Sequence, residues 1–164
     1  MSPHPTQTAG HGKPAGRKLH AGSRDVQQFA TFHLNDELFG INILKVQEIQ
    51  LPQAVTPVPR APAYILGLIS LRGQIVTLID LRRRLQMKMD QPIANPYHVV
   101  VRTQSTVACF EVGAIGDVIN VPHEDFRAAP DSVRAVDKRF LEGVYRMEKR
   151  VLSVLRVDEV LEGT

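Results

Sequence analysis

The chain has 164 residues, 43% of them hydrophobic, with a formal net charge of +3 and a single cysteine. That length allows one compact domain plus a tail, and the lone Cys109 excludes an internal disulfide framework and suits a reducing cytoplasm. Residues 1–25 hold Lys13, Arg17, Lys18 and Arg24 against Asp25, which leaves 16 basic and 16 acidic residues in 26–164; a neutral body lacks the concentrated positive charge of a nucleic-acid-binding surface.

Residues 1–25 are rich in Gly, Pro, Ser, Thr and His and almost lack large apolar side chains. They cannot bury enough surface to offset their ordering entropy, so they are expected to be a disordered tail. The stretch has no apolar core of roughly 7–15 residues, so it does not read as a secretory signal. No run in the chain approaches the ~20 apolar residues that cross a bilayer.

From residue 26 the pattern changes to short β-prone runs separated by turn signals. Phe29–Leu34 and Leu38–Ile41, joined at Asn35-Asp36, predict a hairpin. Ile43–Ile49 fits either a helical turn, with apolar residues at 43, 46 and 49, or a strand, from its β-branched content. Pro52, Pro57, Pro59 and Pro62 make 50–62 an irregular or extended connection. One helical turn is expected at Ala63–Leu66. Leu68–Leu71 and Gln74–Leu81 predict strands about Arg72-Gly73, the second apolar enough to be buried on both faces. Arg82-Arg83-Arg84 is expected to be a solvated helical face.

The polar segment 86–96, with Pro92 and Pro96, reads as a hinge between halves. Strands are predicted over His98–Thr103, Thr106–Val112 and Ala114–Val121, then a loop with a short helix over 122–138. Strands near Phe140–Met147 and Val151–Val157 and a helical turn at Asp158–Leu161 end the chain. Asp80, Asp117 and Asp158 read as solvent-facing turn residues. No His/Cys/Asp cluster has zinc spacing, no glycine-rich phosphate loop is present, and no nucleophile, base and orienter fall together. Cys109, inside an apolar strand, is expected to be buried and inert. Short strands with frequent turns predict a mainly β fold of small barrels.

Several of these segments are also specific. Leu34–Ile49, Thr56–Pro59, Ile65–Val76, Ile79–Arg82, Phe140–Val144 and Val151–Leu155 resemble, in order and spacing, the CheW-like family of chemotaxis coupling proteins. The resemblance covers about 27–162, so one CheW-like domain is expected over 26–162. It implies two packed five-stranded SH3-like β-barrels with short helices. It further implies a cytoplasmic adaptor, without catalysis or cofactor, that couples the cytoplasmic hairpin of chemoreceptors to the CheW-like regulatory domain of the histidine kinase CheA. An adaptor of a non-flagellar pathway such as pilus motility is the alternative reading, and a nucleic-acid-binding small barrel the remote one. Direct membrane insertion is not expected.

By the same resemblance, Glu48 and Arg72 lie together beside a receptor-binding groove. Val46 and Ile49 on the first barrel and Ile115 and Val118 on the second would line it; an ordinary core role is the competing reading for each of the four. Glu48 and Arg72 stand within apolar segments, where a charge must be paired or exposed, and a partly buried ion pair is expected. Gly67 and Gly73 read as backbone-conformation residues. The chain departs from the family pattern at Ser70, Cys109, Glu111 and Gly113, and a bulge that shifts the register of the second barrel is one expected consequence.

Overall fold

The computed structural model describes residues 25–131 and 136–164; the tail expected to be disordered lies, up to residue 24, outside the described residues. Eleven strands form two sheets among these residues. The chain supplies β1 (Val26–Leu34), β2 (Glu37–Asn42), β3 (Val46–Gln50), β4 (Ile65–Leu71), β5 (Gln74–Asp80), β6 (Tyr97–Arg102), β7 (Val107–Val112), β8 (Ile119–Pro122), β9 (Phe126–Arg127), β10 (Leu141–Arg146) and β11 (Val151–Leu155). Helices are short: α1 (Leu81–Arg84) follows β5 and α2 (Val157–Val160) follows β11.

The six-stranded sheet runs β8-β1-β2-β11-β10-β9 and the five-stranded sheet β3-β6-β7-β5-β4. The sixth strand is the two-residue β9, paired to Tyr145 and Val144 at the sheet edge. Both ends of the chain build the first sheet and the middle builds the second. They join through a parallel pairing of β2 with β11, Leu38 to Leu152 through Gly40 to Val154. The β1–β2 hairpin forms as predicted, with Asn35 at φ +56, a conformation Asn tolerates better than most residues. The open choice at 43–49 resolves as both: a 3-10 turn at Ile43–Lys45, capped by the Asn42 side chain, runs into β3.

Alternation buries each sheet on two sides. Phe32, Leu34, Phe39 and Ile41 from the first sheet meet Val99, Val101, Phe110 and Ile79 from the second in a central core. The opposite side of the five-stranded sheet holds Ile69, Leu71, Val76, Leu78, Val100 and Cys109. The opposite side of the six-stranded sheet holds Phe29, Leu38, Val121, Leu152 and Val154. β5 is accordingly buried on both faces, with Ile79 in the central core and Leu78 in the second.

Some local expectations are corrected. Residues 86–96 join β5 and α1 to β6, within one sheet, so they are not a boundary between the sheets; the chain crosses between sheets at 42–46 and again at 112–119. Ala63-Tyr64 is a turn closed by Ile65 N donating to the Pro62 carbonyl, and Ile65 and Leu66 already belong to β4. Residues 113–118 are not strand: they lie along β1, tied by the amides of Gly113 and Gly116 to the carbonyls of His33 and Thr31. Asp80 is buried, because its carboxylate caps α1 at the Arg83 amide and pairs with the Arg83 side chain.

Of the arginine triplet only Arg83 is solvated. Arg82 is buried, donating to Asn35 Oδ1 and to the Gln91 carbonyl. Arg84 reaches across to the other sheet's C-terminal helix. Its Nε donates to the Val160 carbonyl at 2.7 Å and its terminal nitrogen to the Glu162 carbonyl at 2.8 Å. The guanidinium lies 4.8 Å from the Tyr64 ring centroid and 5.1 Å from that of Phe140. A cation on the last carbonyls of a helix is stabilising, and charge-assisted bonds of this kind contribute about 1.5–3 kcal/mol each. The Glu162 bond is exposed, so water replaces it at little cost and the part-buried Val160 bond dominates; Arg84→Ala is expected to lower the unfolding free energy in urea by about 1–3 kcal/mol and to speed amide exchange in α2 before that in β6 or β7. A loss of stability spread evenly over the molecule would contradict the clamp.

A candidate site at the seam of the five-stranded sheet

β3 and β4 are the two edges of the five-stranded sheet. Their registers differ by a bulge in each. In β3 the pairing slips between Val46↔Val101 and Glu48↔Val100, so Val46 packs on the central core while Glu48 faces the opposite side, over Val100 and Cys109; Ile49 shares the face of Val46 but stands exposed at the sheet edge. In β4 the slip falls between Ile65 and Gly67. Gly67 takes φ +146, and a Cβ there would stand 2.3 Å from the Thr56 carbonyl oxygen; the site demands glycine because strand β4 and the 51–60 segment, bridged at Thr56↔Leu68, touch backbone to backbone.

The β4–β5 hairpin turns at Arg72-Gly73, with φ +54 and +82. Two successive positive φ values make a primed hairpin turn, which matches the twist of the strands. Gly73 has open space about its Cβ position, so its role is conformational. Arg72 lacks that freedom, and a non-glycine residue in this region costs on the order of 1 kcal/mol. From the turn its guanidinium reaches Glu48 at 3.4 Å, joining the two edges of the sheet.

The expected ion pair is present, but it is less buried than expected. The Glu48 side chain is 20% exposed and that of Arg72 79%. The tip of a hairpin projects from the sheet, so Arg72 keeps its solvent shell and only Glu48 is partly desolvated. Ile115 bridges to Phe32 and packs on the central core, as does Val46. Ile49 and Val118 remain exposed, on β3 and on the crossing segment. The structure thus joins Glu48 to Arg72 directly and Val46 to Ile115 through the core, and it leaves Ile49 and Val118 at the surface.

Beneath Glu48 lies chemistry that charge and hydropathy patterns did not single out. His98 and Glu111 are cross-strand partners, with Nε2 3.5 Å from a Glu111 carboxylate oxygen, and His98 is fully buried. Glu111 occupies a position where the strand pattern asks for an apolar residue; the buried histidine lies beside it without a hydrogen bond between them. The β6–β7 ladder runs unbroken from Tyr97↔Val112 to Arg102↔Val107, so Cys109 and Glu111 introduce no bulge; Gly113 lies just beyond the strand. Cys109 is fully buried. Burial, with the nearby charges of Glu111 and Glu48, pushes its thiol up to about 12, so the reactive thiolate is suppressed.

Similarity to known proteins follows this architecture. The model of the CheW-like domain matches residues 28–164. The chain belongs to the CheW-like domain family. It is 33% identical over 146 residues to the chemotaxis protein CheW of Rhizobium meliloti, covering 89% of this chain and 92% of that protein. It is 30% identical over 151 residues to the chemotaxis protein CheW of Helicobacter pylori, covering 89% and 91%. Among solved structures, the scaffolding protein TtCheW from Thermoanaerobacter tengcongensis matches with a TM-score of 0.77 at 25% identity, covering 87% of this chain and 92% of that one. A CheW-like chain is an adaptor of chemotaxis signalling and not an enzyme.

Two outcomes follow from the geometry. With Arg72 this exposed, Arg72→Ala is expected to cost about 0–1 kcal/mol in a denaturant curve; a loss several times larger would mean that the pair closes the barrel. For Cys109 the thiol is held neutral by the fold, with a value raised from 9.0 to about 12. Its contribution is complete below the unfolded value and is lost as pH rises between the two. Cys109→Val is expected to flatten the alkaline loss of stability in that window, read by urea curves across it. Equal slopes for the two proteins would refute the assignment.

Proposed function

We propose that the Glu48–Arg72 seam, flanked by Val46, Ile49, Ile115 and Val118, receives the helical hairpin at the cytoplasmic tip of a chemoreceptor, and that the ends of the sheets hold the CheW-like regulatory domain of the histidine kinase CheA. The protein is a chemotaxis scaffold that couples receptors to CheA. Its place is the cytoplasm, where it is recruited to receptor arrays; among the described residues no helix is long and apolar enough to cross a membrane.

The observation that carries the site reading is Arg72 itself. A residue kept only for the fold of a hairpin turn would be Asn, Asp or Gly. Here an arginine holds a strained conformation, is 79% exposed, and is aimed at Glu48 across the sheet edges. An exposed pair of this kind adds little stability, and an oriented, solvent-facing guanidinium suits the polar rim of a contact surface.

The decisive experiment reconstitutes kinase, receptor cytoplasmic fragment and this protein. Arg72→Ala is expected to retain binding to the CheA regulatory domain in a pull-down while receptor-dependent kinase activation falls markedly. The double exchange Glu48→Arg with Arg72→Glu is expected to restore stability without restoring activation, since the seam then presents reversed charge. Activation by Arg72→Ala equal to wild type would remove Arg72 from the site. Failure of the wild-type protein to bind the cognate regulatory domain at high micromolar concentration would remove the adaptor reading for that kinase.

A further inference from the structure

The face of the five-stranded sheet that carries Glu48 also carries a fully buried histidine. Neither Nδ1 nor Nε2 of His98 makes a hydrogen bond. The residue stands between two cross-strand neighbours, Gln50 on β3 and Glu111 on β7. The side-chain nitrogen of Gln50 is buried and unpartnered as well, while a Glu111 carboxylate oxygen lies 3.5 Å from His98 Nε2. Three carboxylates share this face. Glu48 pairs with Arg72, and Asp80, next to Glu111 across β5 and β7, pairs with Arg83. Among the described residues, Glu111 has only His98 within ion-pairing distance. Glu48 sits opposite Val100, two residues along β6 from His98, a diagonal spacing of about 7–8 Å. Cys109 lies among these groups, and burial together with the charges of Glu111 and Glu48 lifts its thiol to about 12, so it stays neutral while a histidine titrates.

We infer that His98 is a proton-operated latch on the seam: on acidification it takes up a proton, pairs with Glu111 and competes with Arg72 for Glu48. A neutral imidazole has one donor and one acceptor, and both stand idle here in a dry site, which is costly. A proton turns both nitrogens into donors and supplies the counter-charge that Glu111 lacks; a buried charge is tolerated when it is paired. The new cation stands diagonally from Glu48, and inside a protein charges are felt more strongly at such a spacing than in water. Arg72 opposes it from a side chain that is 79% exposed, where solvent screens its hold on Glu48. Gln50 is the last residue of β3, so the same proton acts on the end of the strand that presents Glu48 and Ile49. Histidine changes charge within about pH 5–8. That the output of the latch is receptor coupling rests on the reading of the seam given above.

The test is NMR of the full chain with labelled histidine, titrated from about pH 8 to about pH 5.5. The His98 ring is expected to pass from a neutral tautomer to the imidazolium, and the amides of Glu48, Gln50 and Arg72 to shift with the same midpoint. In Glu111→Gln the ring is expected to stay neutral through the range, and the linked amide shifts to disappear. His98→Gln is expected to abolish the same shifts, which keeps the test open should one variant fail to fold. A His98 ring that stays neutral throughout in the wild-type protein would overturn the latch. So would a ring that titrates while Glu48 and Arg72 stay still, or linked shifts that survive in either folded variant. Receptor-dependent kinase activation, measured for wild type against Glu111→Gln at both ends of the range, tests the seam separately. A several-fold fall in acid for wild type alone supports both readings. The NMR transition without any such difference leaves the latch standing and counts against the seam as the receptor site.

Discussion

The parallel pairing of β2 with β11 is the constraint on which the rest of the molecule depends. Leu38, Phe39 and Gly40 lie beside Leu152, Ser153 and Val154, strands separated by more than a hundred positions in the chain. The approach is close enough that a Cβ on Gly40 would stand 3.0 Å from a Leu152 methyl carbon. With that pairing made, both ends of the chain share one sheet and the middle must form the other. The central core then fills from β1 and β2 on one side and β6 and β7 on the other. The C-terminal helix lands where Arg84 can cap it. A parallel pair needs a long connection between its strands, and here that connection holds the whole five-stranded sheet followed by β8, β9 and β10.

Three arginines with similar local sequence surroundings do three different things. Arg72 projects from a hairpin tip and presents charge to solvent. Arg84 spans the two sheets and spends its donors on helix carbonyls between aromatic rings. Arg82 is buried on neutral acceptors. The differences come from where each Cα stands relative to the second sheet. The aliphatic stem of arginine packs like a hydrophobe while its head seeks acceptors, so a run of arginines can be absorbed into an interface when carbonyls wait on the far side.

The seam carries its polar groups in depth. Glu48 sits at the rim with Arg72; behind it, on the same side of the sheet, lie Cys109, then His98 paired with Glu111. β3 is an edge strand attached to the sheet through β6, so the strand that presents Glu48 and Ile49 rests directly on the strand carrying His98. Its bulge lets Val46 and Ile49 face one way and Glu48 the other. A regular strand would put Val46 and Glu48 on the same face; the bulge is what lets Val46 enter the core while Glu48 faces the other side.

The sequence by itself determined the mainly β class, nearly all of the strands, the hairpins at Asn35-Asp36 and Arg72-Gly73, the burial of Cys109 and, through ordered motifs, the family. These features are local: alternation, turn residues and motif spacing are written within a few residues of each other. The pairing of Glu48 with Arg72 was legible because the family motif carries both residues, while its exposure was not, since exposure depends on how far the hairpin tip stands from the sheet. Only the tertiary structure decided that 86–96 stays within one sheet, that Asp80 is a buried cap, that Arg82 and Arg84 leave solvent, and that Glu111 meets His98. Each of those rests on contacts with a neighbouring strand or with the other sheet, and the period of a single strand or helix holds no information about what will lie across from it.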